Sequence, residues 1–330
     1  MLRRNFFKAL TLAGGLILPH TRQKAEIIPS KGNDHVDFSI TDNIINMYIP
    51  QVTKFTRIIQ ISDTHLWMDD ERGRDYIPYS RRMARAYNTT KHFQSGVETN
   101  PMESFEKTLS IAIEKKADLI VLTGDIFSFP SEAAIEWVLK KLKATNIPYI
   151  YTSGNHDWHY EGMEGPIDDL RSTWINKRLS ALYPSPQFLY GVYPLNGLKV
   201  ITIDNSTYQV NKAQRSFFSK EIKSGDPVLL MQHIPMYAKG RNIGFGCGHP
   251  DWSGKTDKSF ELEKRERWPM EGHNKDTLGY FDDVFSARTV KGVFAGHIHQ
   301  QSLDIIRGKP QFVTDANAKG AYLQIDINSD

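Results

Sequence analysis

Residues 119–157 read LIVLTGDIFSFPSEAAIEWVLKKLKATNIPYIYTSGNHD, and this stretch decides the fold class. Two short apolar runs, 119–122 and 147–152, flank a segment with helical spacing from Ser131 to Ala144. Ser131 is a suitable N-cap, and the apolar residues of the segment recur on one helical face. This alternation of strand, helix and strand predicts a largely parallel β-sheet.

The remainder of the chain extends the same α/β pattern. The spacing predicts strands at 38–49 and 56–61 and a helix at 104–116. The second half is richer in strand signals, at 188–193, 198–204, 228–232 and 290–295, with three more strands near the C-terminus and one helix at 212–222. Because candidate site residues come from both halves, we predict one domain of two sheets with helices on the outer faces.

Five strand-end segments contain residue types that bind metals, and they read ISDTHL, VLTGDIF, TSGNHDW, LLMQHIP and VFAGHIH. The candidate ligands in them are Asp63, His65, Asp125, Asn155, His233, His297 and His299. Taken singly, each segment also fits a solvated turn or a hydrogen-bonded core residue. Together, imidazoles, carboxylates and one amide predict a site for two divalent ions such as Mn, Fe or Zn. We interpret Gly124, Gly154 and Gly296 as residues that ease the backbone bends before the ligands.

The five segments resemble the motifs of the calcineurin-like metallophosphoesterase superfamily, D-x-H, G-D, G-N-H-[DE], H and G-H-x-H. The resemblance implies a four-layer α/β/β/α sandwich of two mixed sheets flanked by helices, with the metal site at the C-terminal ends of the strands. The implied ligand sets are Asp63, His65 and His299 for one ion and Asn155, His233 and His297 for the other, with Asp125 as the bridge. The implied function is hydrolysis of phosphate mono- or diesters by a hydroxide that bridges the two divalent metals.

Two further residues are candidates for catalysis rather than for metal binding. His156 directly follows a candidate ligand, so its side chain is expected to project toward the substrate. The resemblance implies that His156 stabilises developing charge or protonates the leaving oxygen, and that Asp157 orients its ring. The purple acid phosphatase branch has a tyrosine three residues after the bridging aspartate. This chain has Ser128 there, so the purple ferric site is not predicted.

Three long inserts, at about 66–102, 158–187 and 236–286, leave strand ends that bear candidate ligands. Loops at that edge surround the metals, so we expect them to build the pocket for a small phosphoester substrate. His249, His273 and Asn274 are the insert residues that we favour as pocket contacts. A solvated surface position or local packing is the alternative for each of them.

The N-terminus has the composition of an export signal. Arg3 and Arg4 precede an apolar run at 9–18 in a manner that resembles the twin-arginine type, so we predict a signal at 1–24 and a linker at 25–34. A buried helix or an uncleaved anchor is the alternative, and export to the periplasm or another extracytoplasmic space is the expectation. Removal of the signal would change the net charge from +3 to −2. Cys247 is the single cysteine, which excludes an intramolecular disulfide.

Several functions remain open at this point. Within the phosphoesterases, the alternative is a cyclic-nucleotide phosphodiesterase or another phosphodiesterase. A non-catalytic binding module with the same fold is less favoured, because such proteins usually lose ligands and no motif position is missing here. The charge without the signal gives no indication of nucleic-acid binding, so a nuclease is not favoured either.

Overall fold

The computed structural model describes residues 36–83, 90–238 and 273–329. The predicted signal at 1–24 and the linker at 25–34 lie outside these ranges. None of the helices within them is both long enough and apolar enough to cross a membrane.

Strands and helices alternate through most of the described chain. The strands are β1 (Asp37–Thr41), β2 (Ile44–Tyr48), β3 (Thr56–Ile61), β4 (Thr90–Lys91), β5 (Glu98–Thr99), β6 (Leu119–Thr123), β7 (Tyr149–Thr152), β8 (Tyr190–Leu195), β9 (Leu198–Ile203), β10 (Val228–Met231), β11 (Val290–Ala295), β12 (Ser302–Ile306), β13 (Lys309–Val313) and β14 (Leu323–Asn328). The helices are α1 (Ile77–Met83), α2 (Pro101–Glu114), α3 (Glu132–Thr145), α4 (Ile167–Lys177), α5 (Lys212–Glu221) and α6 (Lys275–Ser286).

The strands form two large mixed sheets and one small hairpin. The first sheet has the order β1-β2-β14-β3-β6-β7, and the second has the order β12-β13-β11-β10-β9-β8. In the first sheet β3, β6 and β7 run parallel, and in the second β9, β10 and β11 run parallel. Strands β4 and β5 pair with each other. Each large sheet therefore has a parallel centre whose C-terminal ends share one edge.

Three apolar clusters show how the layers stack. One cluster lies between the two sheets and includes Ile58 from β3 and Leu229 from β10. The neighbouring residue Ile59 points to the opposite face of β3, where it joins a cluster with helices α2, α3 and α4. On the far side of the second sheet, Phe218 of α5 and Tyr280 of α6 complete the third cluster. The predicted four-layer α/β/β/α sandwich is confirmed.

The structure differs from the predicted elements in several places. Residues 38–49 form the β1–β2 hairpin instead of one strand, because Asp42 turns the chain with a φ of +54°. Helices α1, α4 and α6 and the short β4–β5 hairpin lie inside predicted inserts and were not predicted. Helix α3 begins as predicted, since the side chain of Ser131 accepts a hydrogen bond from the Ala134 N–H.

Candidate metal centre

The seven predicted ligands all lie in loops that follow central parallel strands. In the first sheet, Asp63 and His65 follow β3, Asp125 follows β6 and Asn155 follows β7. In the second sheet, His233 follows β10, and the remaining two histidines follow β11. The C-terminal ends of these strands meet at one edge of the sandwich, so the loops converge although the chain separates them by up to 236 positions.

Asp63, His65 and His299 form the first ligand cluster. Their ligand atoms lie within 4.8 Å of one another, so the cluster could hold a metal ion. Nε2 of His299 is 3.2 Å from Oδ1 of Asp63 and 3.0 Å from Nε2 of His65. All three side chains are almost completely buried, which removes water as the partner that these polar atoms would otherwise have.

Asp125, His233 and His297 form the second ligand cluster, which meets the same distance criterion. Nε2 of His233 is 3.2 Å from Oδ2 of Asp125 and 3.2 Å from Nδ1 of His297. Oδ1 of Asn155 also lies 3.2 Å from this nitrogen, so the amide joins the cluster. Nε2 of His233 carries at most one proton, so it cannot donate a hydrogen bond to all three of these neighbouring atoms. A single cation could instead be bound by the nitrogens and oxygens together.

Asp125 lies between the two clusters. Its Oδ2 atom is 3.2 Å from Nε2 of His233 in the second cluster and 3.9 Å from Nε2 of His65 in the first. One carboxylate therefore faces both groups of ligands, as the carboxylate of a dinuclear site must. The donor set of imidazole nitrogens and carboxylate or amide oxygens fits a pair of borderline divalent ions.

The ligand loops have unusual backbone conformations. Five of the seven residues have positive φ angles between +50° and +72°, namely Asp63, His65, Asp125, His297 and His299. Non-glycine residues seldom adopt this left-handed region, and each such residue costs about 1–3 kcal/mol. Strain of this kind persists only where the surrounding structure imposes it. The loops are therefore shaped to aim the ligands, not to minimise backbone energy.

Two glycines make these loops feasible for different reasons. Gly124 has a φ of +85°, as the interpretation of an eased bend requires. Gly296 has no positive φ, and the double-histidine turn bends at His297 and His299 instead. A Cβ atom at Gly296 would lie 1.9 Å from Oγ of Ser62 and 2.2 Å from Oδ2 of Asp63. Gly296 is thus required for close approach to a ligand.

Burial and mutual charge perturb the ligands strongly. Burial alone would lower the pKa of His233, but the charge and hydrogen bond of Asp125 outweigh burial and raise the pKa to about 9. Burial, followed by repulsion from His233, lowers the pKa of His297 to about 3. Burial raises the pKa of Asp63, but the charge and hydrogen bond of His299 and the charge of His233 together outweigh burial and lower the pKa to about 2. Metal ions bind anionic carboxylates and neutral imidazoles, so an ion at His233 would displace a proton, whereas the low pKa of His297 already favours its neutral form.

His156 lies beside both clusters. Its backbone N–H donates to Oδ1 of Asp125 at 2.8 Å, and its ring centroid is 5.2 Å from that of His65. The ring is partly buried, and Nδ1 is buried without a hydrogen-bond partner among the described residues. This arrangement leaves the Nε2 edge of the ring as the edge that can meet a substrate.

Asp157 does not orient His156 in this structure, so that expectation is wrong. Asp157 is fully buried, and its two oxygens accept hydrogen bonds from the backbone N–H groups of Asp125, Phe127 and Gly154, at 2.7–2.9 Å. The hydroxyl of Tyr151 donates to it at 2.8 Å. The carboxylate therefore ties the β6 loop to the β7 loop and holds the ligand-bearing backbone, away from the substrate side.

Four other positions singled out from the sequence have structural contacts or lie outside the described chain. Ser128 stands at the sequence position of the purple-site tyrosine. Its hydroxyl donates a hydrogen bond to the carbonyl of His65 at 2.9 Å. Asn274 caps helix α6, since its side chain accepts a hydrogen bond from the Thr277 N–H at 2.7 Å. This capping bond accounts for Asn274 without a pocket contact. Nδ1 of His273 lies 3.0 Å from Nε2 of Gln209. His249 is outside the described residues.

Tyr208 is a ligand contact that no sequence motif indicated. Its hydroxyl lies 3.0 Å from Nε2 of His297, 89 positions away along the chain. The available signal was weak, because Tyr208 directly follows a polar run after β9 that could equally have been an ordinary surface loop.

Comparison with known proteins agrees with this geometry. The calcineurin-like phosphoesterase family matches residues 56–301, which is most of the chain. The chain belongs to this family. The phosphoesterase is accordingly a hydrolase of phosphoester bonds, the family is dinuclear and metal-dependent, and two ligand clusters are present.

Similar proteins include both phosphodiesterases and phosphatases. The phosphoesterase is 24% identical over 277 residues to a probable cyclic nucleotide phosphodiesterase of Fibrobacter succinogenes, with 83% of each chain covered. It has the fold of a dimetal phosphatase from Danio rerio, with a TM-score of 0.51, 11% identity and coverage of 82% of this chain and 91% of that one. A lupin purple acid phosphatase also matches, with a TM-score of 0.50, 12% identity and coverage of 87% and 49%.

Proposed function

We propose that this phosphoesterase binds two divalent ions through the residues of the two clusters and hydrolyses small phosphate esters between them. The first ion is assigned to Asp63, His65 and His299, the second to Asn155, His233 and His297, and Asp125 is assigned to both. The single observation that supports this assignment best is the position of Asp125, whose Oδ2 atom faces His233 at 3.2 Å and His65 at 3.9 Å.

The protein side chains have distinct tasks in the proposed reaction. When bound, two divalent ions neutralise phosphoryl charge and lower the pKa of water to near neutrality. His156 donates a proton to the leaving oxygen. The proton comes from Nε2, because the other ring nitrogen, Nδ1, is buried. Asp157 holds the β6 and β7 loops together through the backbone N–H groups of Asp125 and Gly154.

Elemental analysis of the purified protein tests the metal assignment. We expect two ions per chain in the wild-type protein, with Mn, Fe and Zn all compatible with the ligand types. His299→Ala should reduce the content by one ion and His297→Ala by the other. If both variants retained the wild-type content and affinity, the assignment would be wrong.

Cyclic nucleotides are the second candidate substrate class. The match to the Fibrobacter succinogenes protein favours them, because it extends over 83% of both chains. Parallel assays with a nitrophenyl monoester, a bis-nitrophenyl diester and cyclic AMP separate the alternatives. A diester preference together with turnover of cyclic AMP supports the phosphodiesterase, and turnover of the monoester alone contradicts it.

We also propose that the protein is exported through the segment at 1–24. The support is the Arg3–Arg4 pair before an apolar run that lacks acidic residues. Fusion of residues 1–34 to a reporter that is active only outside the cytoplasm tests this proposal. Replacement of both arginines by lysine should abolish the reporter signal, and an unchanged signal would exclude the twin-arginine route.

A further inference from the structure

The loop at 204–208, directly after β9, is buried throughout although most of it is polar. It consists of Asp204, Asn205, Ser206, Thr207 and Tyr208, and each of these residues is at most 4% exposed. None of them is a candidate ligand. Burial of so many polar groups is costly unless each group has a partner, so their hydrogen bonds indicate what the loop does.

The first part of the loop holds the segments that bear Asn155 and His233. Asp204 accepts a hydrogen bond from Ser153 Oγ at 2.7 Å, two residues before Asn155. Asn205 pairs twice with the backbone of Ile234, donating to its carbonyl at 2.7 Å and accepting from its N–H at 3.0 Å. Ile234 is the residue that directly follows His233. Two side chains of one loop therefore hold two ligand segments.

Tyr208 at the end of the loop reaches the third ligand, His297. The tyrosine hydroxyl lies 3.0 Å from Nε2 of His297, on the far side of the ring from Nδ1. The Nδ1 atom faces the cluster, at 3.2 Å from Nε2 of His233. A ligating Nδ1 must keep its lone pair, so the ring proton belongs on Nε2, where the Tyr208 oxygen can accept it.

The backbone at Tyr208 shows that this contact is imposed by the fold. Its φ is +60°, a value that is uncommon for an aromatic residue and costs about 1–3 kcal/mol. Ser206 accepts a 2.9 Å hydrogen bond from the Trp158 ring N–H, and the neighbouring Gln209 accepts one from Thr277 Oγ1 at 2.9 Å. These bonds fix the loop on both sides of the strained residue.

We propose that Tyr208 is a positioning residue for the second metal ion, which it serves by holding His297 in the tautomer whose Nδ1 atom can bind metal. The proposal rests on the ligand assignment in the proposed function. The 204–208 loop as a whole positions Asn155, His233 and His297. The contacts described above all lead to ligands of the second cluster, so we expect the effect of the loop to be confined to one ion.

Calorimetric titration of the chelator-stripped full-length protein with Zn²⁺ tests the proposal. In Tyr208→Phe, we expect the affinity for the second ion to fall by about 10–100-fold while the affinity for the first ion stays at the wild-type value. The matched control is Tyr160→Phe, which removes another buried hydroxyl, one that accepts from Arg178 at 2.8 Å. It should bind both ions like the wild type.

A second measurement distinguishes positioning from a general structural role. In the Zn²⁺-loaded wild-type protein, nitrogen-15 NMR of the His297 ring should show a protonated, slowly exchanging Nε2, and in Tyr208→Phe this proton should exchange faster. Wild-type affinity for the second ion in Tyr208→Phe would overturn the proposal. An equal loss of affinity for both ions, together with a lowered melting temperature, would overturn it as well.

The His297→Ala variant separates this proposal from the ligand assignment. It should lose the second ion altogether. If it bound two ions with wild-type affinity, the ligand assignment itself would fail. If it lost one ion while Tyr208→Phe behaved like the wild type, only the positioning role of Tyr208 would fail.

Discussion

The backbone N–H of His156 donates a 2.8 Å hydrogen bond to Oδ1 of Asp125, the carboxylate that faces both ligand clusters. The imidazole of His156 takes no part in this bond. The link between the proposed proton donor and the bridging ligand is therefore made by the main chain, and the side chain remains available for a substrate.

This geometry predicts that His156→Ala separates catalysis from metal binding. Turnover should fall by about 10²–10⁴-fold because the proton donor is lost. Metal content should stay at the wild-type value because the main-chain bond to Asp125 is retained. Parallel measurement of kcat and of metal per chain checks both statements. A variant that loses metal would assign His156 a structural role.

Asp157→Asn should destabilise the fold. The amide group would turn an N–H donor toward backbone N–H groups that now face carboxylate oxygens, which should cost about 2–4 kcal/mol of unfolding free energy. Tyr151→Phe removes a single donor from the same carboxylate, so about 1 kcal/mol is expected. Urea unfolding of both variants at saturating metal provides the comparison, and equal costs would contradict the described role of Asp157.

Gly296→Ala should weaken the first ion selectively. The added methyl group would push against Ser62 and the carboxylate of Asp63, so we expect at least a 10-fold loss of affinity and a stability cost of about 1–3 kcal/mol. Gly191→Ala on the edge strand β8 is the control, since its Cβ would meet only Thr202 Oγ1, at 3.1 Å. Metal titration of both variants is the measurement, and unchanged affinity in Gly296→Ala would refute the close-approach argument.

His159 should make stability depend on pH in the acid range. Burial, followed by repulsion from His156, lowers its pKa in the folded protein to about 4, against about 6.5 in an unfolded chain. Between these values the unfolded chain binds a proton that the folded protein does not, so stability declines as pH falls from 6.5 to 4. His159→Gln should reduce this decline by up to about 3 kcal/mol. The measurement is the unfolding free energy of the wild type and of the variant across this pH range. If the prediction were wrong, the two free energies would change with pH in parallel.

Local pattern was sufficient to predict most of the fold. The strand–helix–strand stretch at 119–157 has strong periodicity and a side-chain cap at Ser131, and both are properties of neighbouring residues. The β1–β2 hairpin was missed because the turn at Asp42 contains neither glycine nor proline, although it separates two strand-like segments. Helix α4 was missed because its sequence is polar and its N-cap position, Pro166, makes no side-chain capping bond.

The site was predictable to the level of its motifs. Candidate ligands could be named because each follows a strand that ends in a recognisable pattern. The role of Asp157 could not be predicted from the sequence, because its hydrogen-bond partners include Phe127, which lies 30 positions away in the loop after another strand. Tyr208 is a similar case, since its relation to His297 exists only when β9 and β11 lie in one sheet.

Each ligand cluster takes residues from both sheets. The first joins Asp63 and His65 to His299, and the second joins Asp125 to His233 and His297. A nascent chain that has only reached β7 therefore offers neither ion a complete set of donors. If the proposed assignment holds, complete loading would wait until translation has passed residue 299 and the two halves have docked, which would make metal capture a late event in the biogenesis of this enzyme.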